Sequence, residues 1–406
     1  MTHNPLRVGL TAAALACLAG AHPALAEIAA PPPWLSDSLQ VPAPPPRPRQ
    51  VAKPAPAALP DPDSVAVTRL SGPDRDATGL IPANLAGLPG DLWRGGDSAR
   101  AIDLLGRLPP SNLPGAQDLL YRLVLTEADP PDRPDDALLL ARIDALLRRG
   151  ALDRAQALIE RAGPTTDDLF RRWFDITLLT DSEDRACAAL AANPDLTPSQ
   201  VTRVFCLARD GRWTTAALTL ESARALGDLA EADYELLARF LDPALADGAA
   251  LMPRPRQVTP LIFRLYEAIG EPLATRDLPL AFAWSDLRFV TGWKAQLEAA
   301  ERLAKTGAIG GNRLLGLYSE RKATISGAIW DRVRAVQALD LALNAGDAVA
   351  VTSRLIEARA VMAPAGLEPA LAQMMAPRLG RLSLEGPGSA AALRLLAQSG
   401  LGRSLE

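Results

Sequence analysis

An all-α fold, an α-solenoid of stacked helical hairpins, is what this sequence predicts, and three observations carry the prediction. A turn residue followed five positions later by alanine recurs as Gly150 and Ala155, Asp181 and Ala186, and Gly211 and Ala216, the turns standing 31 and 30 positions apart. A recurrence of that length corresponds to one helix–turn–helix unit. Behind each turn the apolar residues fall three and four apart, the spacing of one face of a helix. Aromatic residues make up only 4% of the chain, so its interior has to be filled by many small contacts between helices rather than by large rings.

Taken in order, residues 1–26 read as a cleaved export signal, with Arg7, an apolar run over 8–20 and Ala24-Leu25-Ala26 before Glu27. The run is short for a bilayer span. Cys17 offers a lipoprotein alternative, but Ala14 stands where leucine is usual and the apolar segment before the cysteine is short, so a periplasmic product is expected instead. Residues 27–90 form a proline-rich disordered linker: Pro31-Pro32-Pro33 and Pro44-Pro45-Pro46 exclude helix and sheet ladders and favour an extended spacer, with a reach on the order of 100 Å. Trp34-Leu35 is the candidate anchor within it, and 64–70 a short extended arm. Helical repeats are expected over 91–250. A C-terminal helical bundle, or a continuation of the solenoid, is expected over 251–406.

Breakers mark the joints at Asn193-Pro194, Thr197-Pro198, Asp242-Pro243, Pro253-Arg254-Pro255-Arg256 and Gly270-Glu271-Pro272. The most aromatic stretch is 277–290. A helix over 293–305 carries Glu298 and Arg302, and Glu301 and Lys305, in the favourable four-apart orientation. Helices over 326–344 and 348–362 form a further pair, and Pro364, Pro369, Pro377 and Pro387 are expected to fragment the end.

The stretches Gly96-Asp97-Ser98-Ala99-Arg100-Ala101 and Gly150-Ala151-Leu152-Asp153-Arg154-Ala155 resemble the turn and second helix of a tetratricopeptide (TPR) repeat. The resemblance covers 91–223, with a return at Gly346-Asp347, where Val351 replaces the alanine. It departs from the family in its spacing, which is shorter than the usual period of about 34, in a gap of 54 positions before Gly150, and in lacking the tryptophan, glycine and tyrosine of the first helix. A degenerate TPR-like array is therefore expected. The resemblance implies a concave face that takes a peptide or helix from an envelope protein, with Arg154, Arg171, Arg172 and Trp173 as candidate residues on it.

Both histidines, His3 and His22, fall within the export signal. The mature chain would then lack histidine general bases, histidine-activated nucleophiles and histidine metal ligands. The net charge of −4 and the absence of a long basic run argue against nucleic acid as a partner. Two cysteines remain, Cys187 and Cys206, 19 positions apart. In an exported chain they are expected to form a disulfide worth about 3 kcal/mol, the alternative being two buried thiols.

Several motifs match chemistry only in part. Ser319-Glu320-Arg321-Lys322 and Lys305-Thr306-Gly307 match the serine and lysine elements of β-lactamases and penicillin-binding proteins, but in reversed order and without the intermediate element, so a helix end and a turn are expected there. Glu221-Ser222 resembles the general-acid site of lytic transglycosylases, but the glycine-rich segment that follows in that family is absent. The acidic clusters Asp167-Asp168 and Asp181-Ser182-Glu183-Asp184 read as helix-start capping. Phe282, Trp284 and Trp293 read as helix-packing core rather than a pocket. The expectation is a periplasmic, non-enzymatic scaffold or adaptor without cofactor or metal that binds an envelope protein. The competing reading is a peptidoglycan-acting enzyme with Glu221 as acid.

Overall fold

In the computed structural model the described residues are 74–399, apart from 96, 110 and 112. The expected export signal, Cys17, Trp34-Leu35, the proline-rich tract and the 64–70 arm lie outside them. The described chain is all-α, with a single two-residue strand pair.

Residues 74–90, read as the tail of the linker, are folded. Strand β1 (Ile81–Pro82) pairs in parallel with β2 (Thr126–Glu127), and the short helix α1 (Ala83–Ala86) follows. The reason is one buried acid. Asp76 accepts from the backbone N–H groups of Asp135, Asp136 and Leu139, at the start of α4 (Ala137–Arg148). Beside it, the fully buried Arg142 donates to the carbonyls of Asp76, Val124 and Thr126. Burial lowers the Arg142 pKa to about 10, with Asp76 opposing the shift.

Between β1 and α4 lie α2 (Ser98–Arg107) and α3 (Pro114–Leu125). The hairpins expected from the turn recurrence then follow. Helix α4 pairs with α5 (Leu152–Ala162), α6 (Asp167–Leu179) with α7 (Glu183–Ala192), and α8 (Gln200–Arg209) with α9 (Trp213–Leu226). The three turn residues all take left-handed backbone, with φ of 71° at Gly150, 61° at Asp181 and 74° at Gly211, as a helix-ending residue requires. The two helices of a hairpin are not equivalent. Helix α9 buries a single stripe, Ala216, Leu220 and Ala223, whereas α6 buries Leu169, Phe170, Trp173, Phe174 and the run 176–179 around most of its circumference. A helix apolar nearly all round needs neighbours on both sides, and α6 has them. Helices α5 and α7 lie on one side, and α11 (Pro260–Ala268) with the 3-10 helix Leu280–Leu287 on the other.

The chain reaches α11 through α10 (Glu231–Leu241). Beyond the 3-10 helix come α12 (Trp293–Lys305), α13 (Gly311–Ser319), α14 (Ala328–Ala345), α15 (Ala348–Met362), α16 (Glu368–Leu379) and α17 (Gly386–Gln398). Helix α16 is the centre of this bundle, packed by α13, α15 and α17. Pro369 and Pro387 sit in first turns, where their missing N–H costs nothing. Pro377, expected to break the chain, is carried inside α16 close to its end. The four-apart pairs expected along α12 do not form. Buried Glu301 accepts from Tyr318 Oη at 2.7 Å and from Arg332 Nε at 2.7 Å, Glu298 meets Lys294 and Arg276, and Arg302 donates to the carbonyls of Thr275 and Leu278. For Glu301 and Arg302 tertiary partners have displaced the local ones, whereas Glu298 keeps a four-apart partner on its N-terminal side, Lys294.

Candidate partner-binding site

The inner face of the hairpins, where a partner was expected, is covered by the chain's own C-terminal half. At the first turn Trp284 Nε1 donates to Gly150 O at 2.6 Å and Thr306 Oγ1 to Arg149 O at 2.8 Å. Arg154 donates to Gly307 O at 2.8 Å, with its guanidinium 4.0 Å from the Tyr121 ring centroid. At the second turn Arg264 bridges Asp181 at 2.9 Å and Glu183 at 3.0 Å, and also reaches Glu267. Arg288 extends this network by pairing with Glu267. Phe282 and Trp284 are buried core, as read from the sequence.

The four candidate partner residues have different settings. Arg154 closes the first turn. Arg172 makes a two-pronged pair with Asp144, at 2.7 and 2.9 Å. Trp173 is buried and donates its indole N–H to Glu160 at 3.1 Å. Arg171 alone stays exposed, paired with Asp168 at 3.2 Å.

The acidic residues at the second turn also do more than cap. Ser182 gives no side-chain cap, and Glu183 is 2% exposed, with Oε2 left without a hydrogen bond. The sequence does carry a signal for this: Glu183 falls on the buried stripe of Ala186, Cys187 and Leu190, where a charge must find a partner.

The third turn is different, because nothing lies within 4 Å of a side chain built on Gly211. Beside it opens a groove of about 720 Å³ between α7, α8 and α9. Ala188, Ala191 and Leu207 line it together with the Cys187–Cys206 disulfide, whose Cα atoms are 5.1 Å apart. A second trough of about 250 Å³ shares Gln200 and Thr219 with the groove and continues it along α9 to Leu218 and Leu226. The rim carries charge. Arg209 pairs with Asp184 at 2.8 Å, and Arg203 donates to the carbonyls of Pro194 and Thr197 while its buried Nε lacks a partner. Arg212 and Asp210 are exposed and have no side-chain partner among the described residues. Such a lining can hold apolar side chains while guanidinium and carboxylate groups meet a peptide backbone.

Glu221 lies elsewhere on α9. It is exposed and accepts from Tyr234 Oη at 2.8 Å, while Ser222 bonds back to Leu218 O within the helix. Ser319 ends α13, and Lys305-Thr306-Gly307 is the end of α12 and its turn. Among the described residues no His, Cys, Asp and Glu cluster has the makings of a metal site, and no helix is long and apolar enough to cross a membrane.

The fold and the groove define an all-α protein of packed helical hairpins with an open trough at its third turn. Comparison with known proteins finds no matching family model, no matching curated protein and no matching solved structure.

Proposed function

We propose that this chain is an exported, non-enzymatic adaptor of degenerate TPR-like architecture, and that it holds a segment of an envelope protein in the groove along α7, α8 and α9. The observation that carries the reading is the pairing of two features: C-terminal residues seal the first two turns, and the third is bare beside a long trough with apolar walls and the open guanidinium of Arg212. The disulfide in the groove wall is compatible with an oxidising compartment, as the export signal implies. A general acid needs a carboxyl shielded in a sugar-binding cleft, and Glu221 has the opposite setting.

The test is capture of envelope proteins by the full chain, compared with Arg212→Glu and Leu226→Lys. Both positions are exposed, so the fold is expected to be retained. A partner captured by the wild type and by Leu393→Lys on α17, but lost with both groove variants, supports the reading. Release of soluble muropeptides from peptidoglycan, abolished by Glu221→Gln, would overturn it.

A further inference from the structure

The loops at one end of the α12–α14 group show apolar residues where turns normally carry polar ones. Thr291 N–H donates to Arg288 O at 3.0 Å and closes a turn whose two central residues are Phe289 and Val290, 89% and 67% exposed. Glycine, asparagine, aspartate and proline usually fill such positions. The turn stands on a fixed base, because Gln296 donates to Arg288 O at 2.9 Å while the Arg288 side chain is bonded to Ser285 O and Glu267. The tip is therefore presented rather than left loose.

Directly behind it, Trp293 at the start of α12 packs on Trp330 at the start of α14, ring centroids 5.0 Å apart, and donates to Leu317 O at the end of α13. Loop 320–327 closes the same end, folded back by Gln337 onto Arg321 O and by Arg334 onto Ile325 O, with Ile325 itself 57% exposed. The charges here run against the chain's net −4. Glu298, Glu320 and Asp331 are paired with Lys294, Arg321 and Arg334, which leaves exposed Lys322 as the cation without a partner among the described residues.

We propose that this end is a peripheral docking surface for an anionic lipid bilayer, with Phe289 and Val290 entering the acyl boundary, Trp293 and Trp330 at headgroup level, and the unpaired Lys322, flanked by the ion-paired Lys294 and Arg321, meeting lipid phosphates. A bilayer fits better than a protein because the apolar feature is a narrow convex tip. Lipid accepts such a tip without shape complementarity, whereas a protein partner has to supply a matching pocket. Tryptophan beneath an apolar tip with flanking lysines is the arrangement expected at a membrane interface. The surface is independent of the groove.

The experiment is co-sedimentation of the full chain with vesicles of phosphatidylcholine alone or mixed with phosphatidylglycerol. Expected are preferential binding to the anionic vesicles that weakens with added salt, a loss of about tenfold or more for Phe289→Ser with Val290→Ser, and a several-fold loss for Lys294→Glu with Lys322→Glu. Unchanged thermal melts verify that the variants remain folded. Absence of vesicle binding, or binding that the tip variants leave intact, overturns the proposal. So does a result in which the tip variants lose capture of an envelope protein without changing vesicle binding.

Discussion

Gly150 holds φ at 71°, and a Cβ built on it would meet Leu303 Cδ2 at 2.7 Å and Leu280 Cγ at 3.1 Å. Gly211 holds φ at 74° with open space around it. Gly211→Ala is expected to cost about 1 kcal/mol from left-handed strain alone, and Gly150→Ala about 2–3 kcal/mol because crowding adds to that strain. Urea unfolding of the two variants measures the difference. Asp175 on α6 gives a pH dependence. It is partly buried and makes no side-chain hydrogen bond among the described residues; burial raises its pKa to about 7, with Arg171 and Arg172 opposing the rise. The folded chain therefore holds a proton that the unfolded chain releases at about pH 4. This group's contribution is fully present below about pH 4 and is lost as pH rises through about 7. Urea titrations at about pH 5 and about pH 8 should show the higher stability at the lower pH, and Asp175→Asn should shrink the difference. The left-handed turns were legible as glycine or aspartate before an alanine-led helix. The buried charges were read otherwise: Glu183 as helix-start capping and Glu301 as half of a four-apart pair, while Arg142 was not singled out, because their partners are set by tertiary packing and left no local pattern.

Among the elements, the disulfide joins α7 to α8 across 19 positions. The spacing and the expected export signal made it readable from sequence. Closing a loop of that size should contribute about 3 kcal/mol, so reduction is expected to lower the melting temperature while leaving the helical signal of the folded state below it. Both cysteines should resist alkylation in the native, unreduced chain. Helix α12 has the boundaries read from its pattern, yet its expected four-apart ion pairs gave way. A surface pair contributes only a few tenths of a kcal/mol, too little to hold Glu301 against a buried tyrosine and arginine. Arg264, which ties α11 to the second turn, is the reverse case. Arg264→Ala would leave Glu183 buried without its nearest cation and should cost about 3–5 kcal/mol by thermal or urea unfolding.

Across the whole molecule, the hairpin array was legible because its turns recur at a fixed period, whereas the covering of its inner face was not. Whether 251–406 continued the curve or formed a bundle stayed open. The contacts that join the two halves, Trp284 on Gly150 and Arg264 on Glu183, are separated by 134 and 81 positions and follow no period. An isolated TPR-like curve would expose one face of α4 to α6, and the sequence-derived partner residues followed from that picture. With the C-terminal half seated on those helices, the open surface moves to the third turn and the groove beside it. Hydrogen exchange of the full chain, followed by mass spectrometry at increasing urea, tests this most directly. If α4, α6, the Leu280–Leu287 segment and α12 form one cooperative unit, their amides lose protection together with a common urea dependence. Exchange of 260–305 at low urea, with α4 and α6 still protected, would contradict the account.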